Sequence, residues 1–319
     1  MNREPVVQCR NIRKRYGGKT VLDGIDVDLQ EGEVFGLLGP NGAGKTTFIK
    51  VLLGLTMPTT GTVRIFDEDL FVSRRRLMRH VGAVVEAPAF FNYLDAFDNL
   101  DYLVALTERV PHEKVMEALT VVGLADVAHG PVGTFSYGMK QRLGIAQALL
   151  PDTRFLVLDE PTNGLDPHGI AGMRKLIRGL SRNRGITVLV SSHLLTEVEQ
   201  VCDRVMIIHE GRNVLESTVE KLRRDTEYLE IQILGDESVL DAVDKALPPF
   251  ERRAGADGEP STLCFRDPKG LEVPDLVRKL VEAGLEVHSV RPRAYTLEDI
   301  FISHTRSENR DVRIDAFRD

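Results

Sequence analysis

Val34-Phe35-Gly36-Leu37-Leu38-Gly39-Pro40-Asn41-Gly42-Ala43-Gly44-Lys45-Thr46 decides how this chain is read. Val34 to Leu38 is an unbroken apolar run of strand length, and Gly39 to Thr46 fits the pattern G-x-x-x-x-G-K-[ST]. A helix is expected to begin near Gly44 and to end by Gly54. A strand, a glycine-rich turn and a helix, in that order, set backbone N–H groups around a phosphate; the helix N-terminus adds partial positive charge and Lys45 a full one. Thr46 is placed to ligate Mg²⁺. A plain glycine-rich turn is the bland alternative, and the flanking elements argue against it.

On either side of this stretch, short β-branched runs alternate with helical patterns, which predicts an α/β domain with a mostly parallel sheet. Val6 to Ile12 and Val27 to Leu29 read as strands before the loop; Thr62 to Ile65 and Ala83 to Val85 read as strands after it, the first behind a turn through Pro58, Thr59 and Gly61. From Ala96 to Leu150 the periodicity is helical, with Leu100, Leu103, Val104 and Leu106, then Val115, Leu119 and Val122, as core faces. This is a helical insertion. Strands return at Phe155 to Leu158, Ile186 to Ser191 and Val205 to Ile208, separated by helices at Pro167 to Arg182 and Leu194 to Val201.

A chain of 319 residues is about twice the usual domain size, so a second domain is expected. Beyond Asp225 the texture becomes small α+β: strands at Glu227 to Leu234, Thr262 to Phe265 and Glu286 to Val290, helices at Ser238 to Ala246 and Pro274 to Ala283, and an exposed loop at Arg253 to Pro260. The apolar fraction of 42% and charged fraction of 28% exclude collagen, coiled coil and bulk disorder. No run of 18 apolar residues occurs, so the chain is not expected to be a channel. Met1-Asn2-Arg3-Glu4-Pro5 has no apolar run behind it, which predicts no secretory leader and residence in the cytoplasm. Cys9, Cys202 and Cys264 are odd in number and far apart, which argues against a disulfide framework or zinc site and for buried small hydrophobes. A net charge of −7 gives no overall electrostatic reason to hold nucleic acid, and none is expected as a partner. The run Arg74-Arg75-Arg76 with Arg79 and His80 reads as a solvated helix face, with contact to acidic lipid or a partner as the alternative.

Phe155-Leu156-Val157-Leu158-Asp159-Glu160 is an apolar strand ending in two acids, a costly arrangement unless the carboxylates face a ligand at the strand's carboxyl edge. Asp159 can hold Mg²⁺ and Glu160 can polarise an attacking water. An acidic pair alone is more often a helix cap, but a phosphate loop beside it reverses the odds. Within the insertion, Phe135-Ser136-Tyr137-Gly138-Met139-Lys140-Gln141-Arg142 puts Ser136 and Gly138 at a helix start, a second anion-ready site. Asn163-Gly164-Leu165-Asp166 follows the acidic pair, and Ser191-Ser192-His193 ends the next strand.

Phosphate loop, signature, acidic strand, aspartate loop and histidine, in that order, resemble the nucleotide-binding subunit of ATP-binding-cassette (ABC) transporters across about residues 5 to 224. The resemblance implies a P-loop cassette over residues 1–224, with a helical signature subdomain at about 87–150, and an accessory α+β domain at 225–305; the mixed charge and few apolar anchors of Arg306 to Asp319 predict a flexible tail at 306–319. It implies ATP and Mg²⁺ as cofactors, nucleotide contacts at Gly39, Asn41, Gly42, Gly44, Lys45, Thr46 and Thr47, and an adenine-stacking aromatic at Tyr16. Ser136 and Gly138 match the residues that bind the γ-phosphate of ATP held by the opposite subunit. Asp166 matches the loop that meets that subunit, and His193 the residue that helps Glu160 orient water. The signature departs from Leu-Ser-Gly-Gly-Gln at Phe135, Tyr137 and Met139. Glu86 stands where a Gln usually meets Mg²⁺ and the attacking water, a change shared with exporters resembling those for bacitracin and lantibiotic peptides. The C-terminal motif Tyr295 to Phe301 looks like the accessory domain of two-gene drug exporters, either a stabilising or dimer-contact module or a small regulatory site. The implied partners are a second copy or a paralogous cassette and a separate membrane permease, through which the chain sits on the inner face of the cell membrane. The implied function is ATP hydrolysis driving export of a drug, antibiotic peptide or lipid-like compound. The alternatives are an importer subunit and a soluble cassette ATPase, which would carry two cassettes or a coiled-coil insert.

Overall fold

Pro5–Tyr16 (β1) and Lys19–Gln30 (β2) pair antiparallel, with Tyr16 opposite Lys19 across a tight turn at Gly17 and Gly18. Their apolar residues, Val7, Cys9 and Ile12 on one strand and Leu22, Ile25, Val27 and Leu29 on the other, are buried, while Arg10 and Asp26 lie exposed. This is the pattern of an antiparallel sheet covered on one side. The chain then enters Val34–Leu38 (β3), buried along its whole length, and Lys45–Leu52 (α1). Thr60–Ile65 (β4) and Glu68–Asp69 (β5) return to the hairpin and complete a four-stranded sheet in the order β2-β1-β4-β5. Sequence reading does not foresee this separate sheet; it extends the mostly parallel sheet over strands that in fact pair antiparallel around short turns.

The mostly parallel sheet itself has six strands. After Leu70–Leu77 (α2), whose Arg74, Arg75 and Arg76 are exposed, come Val81–Val84 (β6) and the helical insertion, Ala96–Ala105 (α3), His112–Val121 (α4) and Tyr137–Leu149 (α5). Phe155–Asp159 (β7), Pro167–Arg184 (α6), Thr187–Ser192 (β8), Leu195–Val201 (α7), Arg204–His209 (β9) and Arg212–Thr218 (β10) follow. The order is β10-β9-β3-β8-β7-β6, parallel throughout except for β10 on the edge. Strands β3, β7 and β8 are buried almost throughout and carry apolar residues over 34–38, 155–158 and 188–190, because helices and the hairpin sheet cover both faces. Phe35, Phe48 and Phe155 are fully buried there, and burying such a side chain contributes about 1.5–3 kcal/mol. Helix α6 starts and stops on local chemistry. Asp166 accepts from Gly169 N at 2.8 Å, Pro167 takes the first turn, and Gly185 closes the helix at φ 67°.

The structure, a computed structural model, describes residues 5–86, 88–106, 110–225, 227–234, 247–253, 260–266 and 272–294. It divides into two compact units between Thr218 and Val219, so the helix Val219–Asp225 (α8) groups with the second unit rather than closing the first, as the expected boundary at 224/225 has it. In the second unit Glu227–Leu234 (β11), Phe250–Arg253 (β12), Ser261–Arg266 (β13) and Glu286–Ala294 (β14) form an antiparallel sheet in the order β12-β13-β11-β14. Leu276 and Leu280 of Val273–Glu282 (α9) share a core with Leu229, Ile231, Ile233, Leu263 and Phe265. Strand β12 replaces the beginning of the expected loop at Arg253. The expected helix at 238–246, the rest of that loop as far as 259, the motif at 295–301 and the tail at 306–319 lie outside the described residues. Among the described residues no helix is long and apolar enough to cross a membrane.

All three cysteines are buried thiols. Burial, reinforced by Asp28 beside Cys9 and Asp203 beside Cys202, pushes both of those thiols well above the usual range and holds them in the unreactive protonated form. Native protein is therefore expected to give no fast reaction with a disulfide dye at neutral pH, and three equivalents after denaturation; a fast native equivalent would contradict the burial.

Candidate active site

Parallel register brings the carboxyl ends of four strands level. Leu38 of β3 pairs with Ser192 of β8, Ser191 with Asp159 of β7, and Leu158 with Val84 of β6. In an open α/β sheet this edge is where ligands bind. The loop leaving β3 turns on Gly39, Gly42 and Gly44, all with positive φ. Gly44, at φ 113°, caps α1, and a Cβ there would lie 2.9 Å from both Leu22 Cδ2 and the Val21 carbonyl oxygen, so only glycine lets the loop sit this close to β2.

Lys45, the next residue, is buried although charged, and it keeps its partners inside the loop. Its Nζ donates to Gly39 O at 2.7 Å and Pro40 O at 3.3 Å, and stands 3.7 Å from Glu160 Oε1. Thr46 Oγ1 lies 3.4 Å from Asp159 Oδ2, so a hydroxyl and a carboxylate face the same space. Thr46 and Asn41 are exposed and Thr47 is half-buried.

Ser191 fastens the acidic pair. Its hydroxyl donates to Asp159 Oδ1, and Glu160 N donates to Ser191 Oγ at 2.9 Å. Glu160 itself takes φ 48°, a left-handed conformation that costs about 1–3 kcal/mol and that such fastening sustains. Its carboxylate meets His193 Nδ1 at 3.1 Å through Oε2. Glu86, two residues past the end of β6, is exposed and also left-handed, at φ 65°. Two adjoining parallel strands thus each end near an acid in a strained backbone.

Of the residues singled out from sequence, Lys45, Thr46, Asp159, Glu160 and His193 form one contiguous cluster. The others lie beside it or apart from it. Ser136 caps α5, accepting from Met139 N at 3.3 Å, and Gly138 packs on Leu165. Asp166 caps α6. Tyr16 is 49% exposed, with Lys14 Nζ 4.9 Å from its ring centre. No hydrogen bond or ion pair among the described residues joins Tyr16, Ser136 or Asp166 to the Lys45 cluster. Sequence reading missed Ser191 as the fastener of both acids and Asn163 as a neighbour of Glu160, whose Oε2 is 3.5 Å from Asn163 Nδ2. A serine where β8 runs level with the acidic strand is the signal that could have revealed the first.

Comparison with known proteins gives the chain's relatives. Residues 22–163 match the model of the family described as ABC transporter. The bacitracin transport ATP-binding protein BcrA of Bacillus licheniformis is 38% identical over 93% of this chain and 96% of its own length. The lantibiotic transport ATP-binding protein SrtF of Streptococcus pyogenes is 38% identical over 72% of this chain and 98% of its own length. Among solved structures, cbiO1 of Clostridium perfringens, described as part of the ABC transporter complex cbiONQ, superposes with a TM-score of 0.65 at 26% identity, covering 76% of this chain and 96% of that one.

Proposed function

Because the chain belongs to the ATP-binding subunits of ABC transporters, which are ATPases, we propose that it drives a separate membrane permease to export an antibiotic peptide, drug or lipid-like compound. The contiguous Lys45, Glu160 and His193 cluster at the sheet edge carries the reading, and the two transport relatives favour export of a peptide antibiotic.

Lys45 and the glycine loop bind the β- and γ-phosphates. Glu160 accepts a proton from water as the water's oxygen bonds to the γ-phosphorus and the bond to the β-phosphate oxygen breaks, releasing ADP and phosphate. His193 orients the Glu160 carboxylate through their 3.1 Å contact. Tyr16, exposed beside the loop strand's hairpin, offers its ring to adenine. Ser136 and Gly138 close on ATP held by a second copy or a paralogous cassette, and Asp166 lies on the loop that meets it; two subunits then complete two sites. The permease would hold the pair at the inner face of the membrane.

Thr46 and Asp159 fit Mg²⁺. Both offer hard oxygen atoms, and among the described residues no cluster of three or more acidic, His or Cys side chains makes an all-protein cage, so phosphate oxygens and water would fill the remaining positions, as this ion prefers. When bound, the ion offsets charge on the triphosphate. Glu86 would add a carboxylate that is favourable only with the cation between it and the phosphates. Glu86→Gln is expected to change the Mg²⁺ dependence of ATPase activity; an unaltered dependence leaves Glu86 without this role.

Export is tested by expressing the chain together with a candidate permease in a sensitive host. The inhibitory concentration of bacitracin or a lanthionine peptide should rise, and Lys45→Ala should abolish the rise. Equal sensitivity with and without the pair, across peptides and amphipathic drugs, would sink the export reading.

A further inference from the structure

Tyr137 stands at a signature position where the pattern has glycine, and nothing above gives it a task. It opens α5 beside the capping Ser136 and is 46% exposed. Its ring is nevertheless held at two points. The hydroxyl accepts a 2.9 Å hydrogen bond from Nε2 of Gln141, one turn along the helix, and Gln141 is buried. The ring lies over Gly164, where an added Cβ would meet Tyr137 Cε1 at 3.3 Å, Cδ1 at 3.7 Å and Cζ at 3.9 Å. Gly164, at φ 76°, both permits the turn and leaves room for the ring. Next to it, a Cβ on Gly138 would lie 3.3 Å from Leu165 Cδ2, so the first turn of α5 packs on this loop twice. The loop leads back to the acid: Asn163 N donates to Glu160 O at 3.1 Å, and Asn163 Nδ2 lies 3.5 Å from Glu160 Oε2.

We infer that Tyr137 is a positioning residue that ties the N-terminus of α5 to Glu160 of the same subunit through Gly164 and Asn163. The inference rests on the roles proposed for Ser136 and Glu160. A planar ring with two torsions, fixed at both ends, passes a displacement on, whereas glycine at 137 would leave a gap over Gly164. When Ser136 closes on nucleotide held by the second subunit, the tie sets the Glu160 that serves the first subunit's own nucleotide. In a two-fold pair the two hydrolytic sites are coupled through two copies of this contact.

The test measures ATPase rate against ATP concentration for the full-length protein and its variants. The parent is expected to show a Hill coefficient of about 2, the number of sites, and Tyr137→Ala a coefficient of about 1. Its maximal rate should fall about tenfold, an effect on the chemical step rather than on binding. Binding of a fluorescent ATP analogue should stay at the parental affinity, since the Lys45 loop is untouched. Tyr137→Phe keeps the ring against Gly164 but loses the anchor on Gln141, and should give a coefficient between those of the parent and Tyr137→Ala. Gly164→Ala approaches the contact from the other side and should lower the coefficient with Tyr137 intact. A parent coefficient of about 1, or parental cooperativity in both Tyr137→Ala and Gly164→Ala, overturns the tie. So does a Tyr137→Ala protein whose only changes are a lower melting temperature and weaker analogue binding. Failure of the underlying reading is separate: it would appear as undiminished turnover in Glu160→Gln.

Discussion

Glu160→Gln is expected to lower ATP turnover by roughly 10²-fold or more while ATP continues to bind. Glutamine keeps the shape of the side chain and can still meet His193, and the backbone anchors of Glu160, its N–H on Ser191 Oγ at 2.9 Å and on Ser191 O at 3.2 Å, do not involve the carboxylate. The left-handed turn should therefore survive, and the loss is confined to proton acceptance. Removing the charge also takes away the 3.7 Å partner of Lys45, which leaves that ammonium freer to serve the phosphates. Nucleotide should then accumulate unhydrolysed, and in the presence of ATP the variant should elute from a sizing column as a stable dimer. Parental turnover would remove Glu160 from the chemistry.

Lys45→Ala acts at an earlier stage. Lys45 is 5% exposed and its ammonium is satisfied by two carbonyls of its own loop, so its burial is already compensated before nucleotide arrives. A charge-assisted hydrogen bond contributes about 1.5–3 kcal/mol, which sets the expected loss of ATP affinity at roughly 10- to 100-fold. The melting temperature is the control. Alanine leaves the Gly39 and Pro40 carbonyls without the Lys45 donor, so a modest fall is expected, and a large one would mean that the loop itself had collapsed. Normal ATP affinity in a folded Lys45→Ala protein would dismiss the phosphate role.

Most of the reacting groups were legible because their signals are local. The loop from Gly39 to Thr46 and the acids at the end of Phe155 to Glu160 each carry pattern and context within a dozen residues. The parallel sheet was legible for the same reason, since doubly covered strands are apolar throughout. Sequence reading finds strand β2 over Val27 to Leu29 alone, because Asp23, Gly24, Asp26 and Asp28 break up its apolar residues. Those acids point outward, and Asp28 pairs with Arg10 of β1 at 2.6 Å, a contact between positions 18 apart that no local window contains. Strands β10 and β12 sit at sheet edges, where polar residues are tolerated and the alternation is diluted. Ser191 escaped notice because its importance comes from register: β8 runs beside β7, and only that pairing puts its hydroxyl between two acids. Gly164 is similar, since its value depends on a ring carried by a helix 27 positions upstream, from the other side of the acidic strand.

The burial of every native thiol makes the chain ready for distance spectroscopy without a cysteine-free background. One cysteine introduced at Val72, which is 85% exposed on α2, would take a spin label or fluorophore while Cys9, Cys202 and Cys264 stay buried and out of reach. In a symmetric pair a single substitution then reports one inter-subunit distance. If two copies pair as proposed, following that distance through a nucleotide cycle would resolve their approach and separation in real time, as a trajectory rather than as two end states.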